Sequence, residues 1–342
     1  MHYENLDVIV LTYNRADYLK IALESLCESN ATWRKIIVLD NASTDHTIDV
    51  VEKIIDKYPS RTIEIITNEK NLGNPGNFKK SQAIATNEYT AIFHDDDAIH
   101  PEYIDRAMSL MMDDKNEKRP VMVSGGGVRG LYNVNHENWD ILPDTYFYFP
   151  SNFNMWLQLI INRPTFCCAI YNTKIYKSVP YCPEKYGKLH DVVFMSEIGM
   201  NGDLIFLHGE CVRWRQHVKS DSNTLKTGPF PDEILNIILR LKEIYEKECF
   251  KSKNNKMWRN IIFKTLLFNF SLFLYQWSDL KRFLSWNEFK EQMIRQGIFR
   301  KNDYILFDAC IDLLLNPVIR KLANKYRRKY SRSYIYRVGD LA

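Results

Sequence analysis

The chain has 342 residues and a formal net charge of +4, so it is long enough for a large core and for two lobes. Its seven cysteines are odd in number and lack Cys-x-x-Cys spacing, so neither a disulfide framework nor a zinc knuckle is indicated. Residues 1–7 carry no secretory signal pattern, and no stretch reaches 18 uninterrupted apolar residues. We therefore expect a cytoplasmic protein without a membrane span.

The charge is unevenly distributed along the chain. Residues 231–342 carry 22 Lys and Arg against 12 Asp and Glu, whereas residues 1–230 carry 24 against 30. Eight basic side chains and no acidic one lie between Arg320 and Arg337, interleaved with tyrosines. Such a segment is typical of regions that bind RNA, of regions that bind an anionic membrane surface, and of solvated tails. We expect peripheral contact with the inner face of the cell membrane and no nucleic acid, with a homo-oligomer interface as the alternative.

Four short apolar runs predict strands buried on both faces of a parallel sheet. They are rich in β-branched residues and lie at Val8–Leu11, Ile36–Leu39, Ile63–Ile66 and Tyr89–Phe93. Because helical patterns separate them, the N-terminal part of the chain reads as a βαβαβ unit. The fold class that we predict is therefore α/β, with a mostly parallel sheet flanked by helices.

Helical periodicity supports this alternation. Leu19, Ala22, Leu23 and Leu26 form an apolar stripe behind Asp17, which we expect to cap the helix. A second stripe follows Ser43-Thr44-Asp45 and comprises Ile48, Val51 and Ile55. A third helix has Pro101 in its first turn and an apolar face of Ile104, Ala107, Met108 and Met111.

The pattern changes twice further along the chain. Short strands and loops mix from Arg119 to about Trp214, and helical spacing dominates from Pro231 onward. We predict a catalytic domain at 1–228, with halves at about 1–118 and 119–228. A mainly helical, basic region at 229–342 follows it.

Three carboxylates, Asp95, Asp96 and Asp97, follow the fourth predicted strand. Open α/β sheets bind ligands beyond the carboxyl ends of their strands. Hard oxygen ligands suit Mg²⁺ or Mn²⁺, and these ions usually complete their shells with substrate phosphates. The sequence therefore predicts a metal and diphosphate site here, and a solvated acidic turn is the alternative.

Four segments at strand ends carry a resemblance to a known family. They are Val10-Leu11-Thr12-Tyr13-Asn14-Arg15, residues 38–45, Asn71-Leu72-Gly73-Asn74-Pro75-Gly76-Asn77 and His94-Asp95-Asp96-Asp97. In this order they resemble the family 2 glycosyltransferases of the GT-A fold, over roughly residues 5–220. The resemblance implies a nucleotide-diphosphosugar donor, a divalent metal and inverting transfer to an acceptor hydroxyl.

The resemblance also implies roles for residues of the nucleotide-sugar site. Thr12 and Asp40 correspond to positions that hold the uridine, although Asp40 could instead cap or turn the chain before the next helix. The remaining predicted donor-binding residues are Asn14, Arg15, Asn71, Gly73, Lys79, Asp95 and Asp96. One position departs from the family, because Phe78 stands where an Arg is often found. Lys79 or Lys80 would supply the missing positive charge.

The metal and the catalytic base are assigned in the same way. Asp97 is expected to bind the metal, with Asp95 and His217 as further ligands, while Asp95 or Asp96 also meets the ribose. The candidate base is Asp191, which takes the proton of the acceptor hydroxyl. Asp191 could instead cap its helix, and His217 could be a structural histidine.

Together these features predict an inverting, Mn²⁺- or Mg²⁺-dependent transferase. It would move one sugar, most simply from a UDP-sugar, to a hydroxyl of a glycan or lipid-linked acceptor in bacterial surface-glycan synthesis. The segment from Gly125 to Phe166 would select the substrates, unless its aromatics are core residues. A nucleotidyltransferase of similar fold and a non-catalytic nucleotide-sugar-binding scaffold subunit are the alternatives.

Overall fold

The computed structural model describes residues 1–113, 119–131, 134–149, 166, 168–215, 231–251, 267, 271, 284–301 and 335–337. His217, Trp156 and the predicted domain boundary at 228 lie outside the described residues. So does the basic segment from Arg320, except for its last three residues. The two-domain division therefore stays a prediction.

The four predicted strands are confirmed and form one parallel half of the sheet in the order β3-β2-β1-β4. The apolar centres of β1, β2 and β4 are buried because helices pack on both faces of the sheet. The predicted burial is wrong for β3, which lies at the edge of the sheet and is only partly buried. Their bounds are β1 (His2–Thr12), β2 (Thr32–Asp40), β3 (Ile63–Thr67) and β4 (Tyr89–His94).

Six further strands make the sheet mixed. β4 pairs antiparallel with β8, and the order then continues through β6, β9, β7 and β10, while β5 pairs with β9. β6 and β9 are parallel to each other. The bounds are β5 (Ala98–Ile99), β6 (Met122–Leu131), β7 (Thr145–Phe149), β8 (Ala169–Asn172), β9 (Leu204–Arg215) and β10 (Ile335–Arg337).

The helices among the described residues follow the predicted periodicity. The stripes at Leu19–Leu26 and at Ile104–Met111 are buried as expected. The bounds are α1 (Ala16–Cys27), α2 (Thr47–Lys57), α3 (Gly73–Ile84), α4 (Tyr103–Met111), α5 (Thr173–Ser178), α6 (Pro183–Tyr186), α7 (His190–Gly199), α8 (Pro231–Lys251) and α9 (Trp286–Arg295), with a 3₁₀ turn at Gly187–Leu189.

The predicted cap of α1 is wrong. Asp17 lies inside the first turn of α1. The N-cap residue is Arg15, and its side chain makes no capping hydrogen bond to the helix. The backbone N–H of Ala16 instead donates to the Asp45 carboxylate, 3.1 Å away across the loop after β2. Asp45 also accepts from the backbone N–H of Thr47 at 3.0 Å, so one carboxylate serves the starts of two helices.

Helix α8 packs on α7 and the core beside it. Its apolar stripe, Ile234, Ile237, Ile238 and Leu241, is buried in the same core cluster as Val193, Phe194 and Ile198. Arg240 of α8 donates to Glu197 of α7 at 2.8 Å. The predicted helical character beyond residue 229 is present in α8 and α9, whereas Ile335–Arg337 form β10 beside β7.

A cluster of five aromatic rings joins α3 to the helices after β8. Phe78 is 1% exposed. Its ring centroid lies 4.0 Å from that of Tyr181, 5.1 Å from Phe166, 5.5 Å from Phe194 and 5.6 Å from Tyr176. Phe78 is therefore a core residue.

We expect Phe78→Ala to lower the free energy of unfolding by about 3–5 kcal/mol, because it removes a buried ring and leaves a cavity among four others. Urea denaturation of the two proteins measures the difference. Phe78→Leu, which keeps most of the volume, should lose clearly less. A loss below about 1 kcal/mol for Phe78→Ala would contradict the assigned packing.

Candidate active site

A cavity of about 400 Å³ opens at the carboxyl ends of the parallel strands. This is where open α/β sheets bind ligands, and the volume lies in the range of small-molecule sites. Its lining is polar and comes from the loops after β1 and β2, the start of α3 and the end of β4. The lining residues are Leu11, Thr12, Tyr13, Asn14, Arg15, Asn41, Asn71, Gly73, Asn74, Asn77 and His94.

The loop after β1 is fastened to the loop after β2 by Asn14. Asn14 has φ of 51°, a left-handed conformation that Asn tolerates better than most residues. Its side-chain oxygen accepts from the backbone N–H groups of Thr44 and Asp45 at 2.7 and 3.3 Å. Its own N–H donates to the Ser43 hydroxyl at 2.9 Å. Asn14 therefore lines the cavity and also shapes it.

Asp40 and Thr12, the two predicted uridine contacts, differ in environment. Asp40 is completely buried, and both of its oxygens accept from the backbone N–H of Ser43, at 3.1 and 3.2 Å. It is not among the residues that line the cavity. The Thr12 hydroxyl is also buried and lies close to Asp95, but among the described residues it makes no hydrogen bond of good geometry. The Thr12 hydroxyl is thus buried at the wall of the cavity, beside Asp95.

Four asparagine side chains form a hydrogen-bonded network beneath the cavity. Asn41 donates to Asn71 at 2.8 Å, and Asn68 donates to Asn41 at 3.0 Å and to Asn77 at 2.9 Å. Asn41 also bonds the carbonyl of Gly73 at 3.3 Å. This network joins the ends of β2 and β3 to the start of α3. Asn68 and Asn77 were not predicted from the sequence.

Asp95 is held by the loop after β1. Its Oδ1 accepts from Arg15 Nη1 at 3.0 Å and its Oδ2 from the backbone N–H of Tyr13 at 3.2 Å. Arg15 Nη1 also lies 3.4 Å from Asp96 Oδ2. Burial and the neighbouring Asp96 carboxylate raise the pKa of Asp95 to about 6, although Arg15 opposes this increase.

Asp97 has a different surrounding. It is buried, its Oδ1 accepts from the backbone N–H of Arg215 at 3.2 Å, and the Cys168 thiol lies 3.9 Å from its Oδ2. Burial, and after it the Asp96 carboxylate, raise the pKa of Asp97 well above its usual range. Among the described residues no cationic side chain forms an ion pair with it. The Arg215 guanidinium instead stacks on Tyr18, 4.5 Å from the ring centroid.

A divalent cation fits the chemistry of this corner, since a buried carboxylate without an ion pair favours a cation beside it. Asp97 and Asp96 are the side chains that would hold it. The described residues include no group of three His, Cys, Asp or Glu side chains around one point. The remaining ligands would then come from water and a diphosphate, as is common for Mg²⁺, or from residues outside the described part, such as His217.

The two lysines after Phe78 do not line the cavity. Lys79 Nζ lies 3.4 Å from both oxygens of Glu184, with its side chain about half exposed. Lys80 is exposed on the same helix. Lys79 therefore faces α6, and the only Lys or Arg among the lining residues is Arg15.

Asp191 lies in the first turn of α7 and is partly exposed. Its Oδ1 accepts from the backbone N–H of Val192 at 2.9 Å. The preceding His190 is tied down through Nδ1 to the carbonyl of Gly187 at 2.7 Å and through Nε2 to the Tyr181 hydroxyl. These contacts fix the start of the helix. The role of Asp191 as a base stays a prediction.

The fold and the cavity define an α/β protein with a polar cavity at the carboxyl ends of its parallel strands. The family model for glycosyl transferase family 2 matches residues 7–179. The chain belongs to this family. The predicted α/β fold of the GT-A type and the predicted enzyme class, at the level of the family, are thereby confirmed.

Individual relatives match shorter segments. The chain is 30% identical over 125 residues to the poly(ribitol-phosphate) β-N-acetylglucosaminyltransferase TarS of Staphylococcus aureus, which is 36% of this chain and 21% of TarS. It is 29% identical over 157 residues to the abequosyltransferase RfbV of Salmonella typhimurium, or 43% of this chain and 45% of RfbV. The matched segments thus span about a fifth to under half of these relatives.

The solved structure of S. aureus TarS 1–349 in complex with UDP-GlcNAc shares the fold. The two align with a TM-score of 0.55 and 20% identity, over 77% of this chain and 72% of that one. The complex of TarS 1–349 with UDP aligns with a TM-score of 0.56 over 95% of this chain and 89% of that one. No helix in the described part of the chain is long and apolar enough to span a membrane.

The raised pKa values predict that metal-free protein loses stability as pH rises. Because the pKa of Asp95 is about 4 in the unfolded chain and about 6 in the folded protein, the folded protein binds more protons between these pH values. The contribution of protonated Asp95 to the free energy of unfolding is therefore fully present below about pH 4 and is lost as pH rises through about 6. We expect chelator-treated wild type to lose on the order of 1–3 kcal/mol relative to Asp95→Asn between pH 4.5 and 7. Urea denaturation at both pH values measures this. A difference that does not change with pH would contradict the burial of the ionised carboxylate.

Proposed function

We propose that the protein transfers one sugar from a nucleotide-diphosphosugar, most simply a UDP-sugar, to an acceptor hydroxyl with inversion of configuration. The observation that carries this proposal is the polar cavity at the ends of β1 and β2. Its lining includes Thr12, whose hydroxyl is buried, and His94, which directly precedes the acidic triplet Asp95–Asp97, together with three asparagines of the hydrogen-bonded network. Family membership supports it, because the four motifs that form the cavity fall within the matched residues 7–179.

Relatives support the choice of donor and acceptor. TarS is named as an N-acetylglucosaminyltransferase that acts on poly(ribitol-phosphate), and it has been solved with UDP-GlcNAc. RfbV is named as an abequosyltransferase. We propose a hydroxyl of a glycan or lipid-linked saccharide in bacterial surface-glycan synthesis as the acceptor.

In the proposed reaction the acceptor oxygen attacks the anomeric carbon of the donor sugar. The bond between that carbon and the diphosphate breaks, the electron pair leaves with the diphosphate oxygen, and Asp191 takes the acceptor's proton. A single displacement inverts the anomeric centre. A bound Mn²⁺ or Mg²⁺, held by Asp97 and Asp96, would supply Lewis-acid stabilisation of the leaving diphosphate.

The donor side is tested by the thermal stability of the protein with a panel of nucleotide sugars, each with and without Mn²⁺. A ligand at 100 times its dissociation constant stabilises the folded state by about 2.7 kcal/mol. We expect a uridine diphosphosugar to raise Tm with Mn²⁺ present, and transfer to depend on the metal. If no nucleotide sugar stabilises the protein, the proposed function fails.

We expect Asp97→Asn to abolish this Mn²⁺-dependent stabilisation and the transfer reaction. The amide keeps the shape of the side chain but removes the buried negative charge that would hold the cation. Metal-free Asp97→Asn should unfold at a Tm equal to or above that of metal-free wild type, because the ionised carboxylate is buried at a cost. Normal transfer by EDTA-treated wild type would show that the metal has no part.

We expect Asp191→Asn to reduce transfer by about 10²- to 10⁴-fold, the usual contribution of a general base. Donor affinity should not change, since Asp191 is not among the residues that line the cavity. Steady-state kinetics and donor titration separate the two quantities. An equal loss of affinity and turnover would instead assign Asp191 to donor binding or to helix capping.

We also propose that the basic segment from Arg320 contacts anionic lipid, with a homo-oligomer interface as the alternative. Eight basic side chains without an acidic one support this. Sedimentation with anionic vesicles at low salt, compared with the oligomeric state of protein truncated before Asn316, separates the two.

A further inference from the structure

We propose that Arg15 binds the diphosphate of the donor, and that Asp95 is a positioning residue that holds its guanidinium in the cavity. The inference rests on the proposed function and specifies which side chain meets the phosphates. It also gives Asp95 a role different from that of a metal ligand.

The cavity needs a positive charge if it is to hold a diphosphate, and among its lining residues only Arg15 carries one. The other polar lining groups are hydroxyls, amides and the imidazole of His94. A guanidinium has five N–H donors in a planar fork, so it can bond carboxylates and a phosphate oxygen together. Arg15 therefore has the chemistry that the ligand requires.

Contacts of both the backbone and the side chain fix the position of Arg15. Its backbone carbonyl accepts from Tyr18 and Leu19 at 3.0 and 2.9 Å, which makes it part of the first turn of α1. Its Nη1 lies 3.0 Å from Asp95 Oδ1 and 3.4 Å from Asp96 Oδ2. The side chain is 23% exposed, so the guanidinium is held in place and is still reachable from the cavity.

Asp95 is built into the protein through both of its oxygens. One accepts from Arg15 and the other from the backbone N–H of Tyr13, and its side chain is only 2% exposed. Both partners belong to the loop after β1. Asp95 therefore orients this loop and the guanidinium, while Asp97 has no ion pair among the described residues.

Two other cations of the described residues, Lys79 and Arg215, do not line the cavity. Lys79 faces Glu184 on α6. Arg215 donates from Nε to the backbone carbonyl of Asp96 at 3.2 Å, stacks on Tyr18 and does not line the cavity. Since Phe78 is buried in the aromatic cluster, the start of α3 supplies no charge, and the loop after β1 supplies it instead.

The experiment compares the binding of UDP and of uridine by isothermal titration calorimetry, once with excess Mn²⁺ and once with EDTA. The proteins are wild type, Arg15→Gln and Arg15→Lys. The control is Arg106→Gln, because Arg106 is 20% exposed and pairs with two carboxylates, Glu102 and Asp144, but does not line the cavity.

We expect Arg15→Gln to weaken UDP binding by about 10- to 100-fold, in line with the loss of charge-assisted hydrogen bonds. Uridine binding should change less than about 2-fold, because uridine has no phosphate. Arg15→Lys should fall between Arg15→Gln and wild type, and Arg106→Gln should match wild type. Equal losses for UDP and uridine, or a loss of UDP binding in Lys79→Gln but not in Arg15→Gln, would overturn the proposal.

Asp95→Asn distinguishes positioning from metal binding. If Asp95 is a positioning residue, Asp95→Asn should weaken UDP binding in EDTA as well as in Mn²⁺. The double variant Asp95→Asn, Arg15→Gln should then lose no more UDP affinity than Arg15→Gln alone. A loss confined to Mn²⁺, or additive losses in the double variant, would overturn the role given to Asp95. If wild type binds no UDP under either condition, the proposed function itself fails.

Discussion

Mutual repulsion among three consecutive carboxylates at the end of a buried strand is the constraint on which the site depends. The chain compensates it from two directions. Arg15, in the loop after β1, donates to Asp95, and the backbone N–H of Arg215, at the end of β9, donates to Asp97. What remains is the negative charge of Asp97 in a buried setting, where an added cation gains most. A cation bound beside Asp97 would complete the charge balance that these two partners begin.

The antiparallel extension of the sheet brings the second of these partners to the site. β9 is 12 residues long and pairs with β5, β6 and β7. Its pairing with Ala98–Ile99, immediately after the acidic triplet, places Arg215 beside Asp97. The antiparallel strands therefore supply a partner to an acidic triplet that follows a strand of the parallel half.

Local patterns were sufficient to predict the parallel strands, the apolar helix faces and the cavity's position at the strand ends. They failed where the partner is distant in sequence. Asp45 caps α1 from 29 residues away, and Arg61 donates to the carbonyls of Cys27, Ser29 and Ala31 at the end of α1. No periodicity encodes such contacts, because they depend on which loops the sheet order makes neighbours.

The arrangement of loops and helices around the strand ends also decides which of the predicted site residues line the cavity. Thr12, Asn14, Arg15, Asn71 and Gly73 line the cavity, since they lie at the end of β1, in the loops after β1 and β3, or at the start of α3. Asp40 is the last residue of β2, but its carboxylate accepts from the backbone N–H of Ser43 in the following loop and does not line the cavity. For Lys79, helix geometry decides, because Asn77 and Phe78 already occupy the inward positions of α3 and leave Lys79 facing α6.

The aromatic cluster also has an evolutionary consequence. A charged side chain at position 78 would now enter a core of four rings, where an unpaired guanidinium costs several kcal/mol. Replacement of Phe78 by arginine is thus unfavourable unless several of the four surrounding residues change with it. Phe78 is entrenched in this sense, because the substitutions that position 78 tolerates depend on its neighbours.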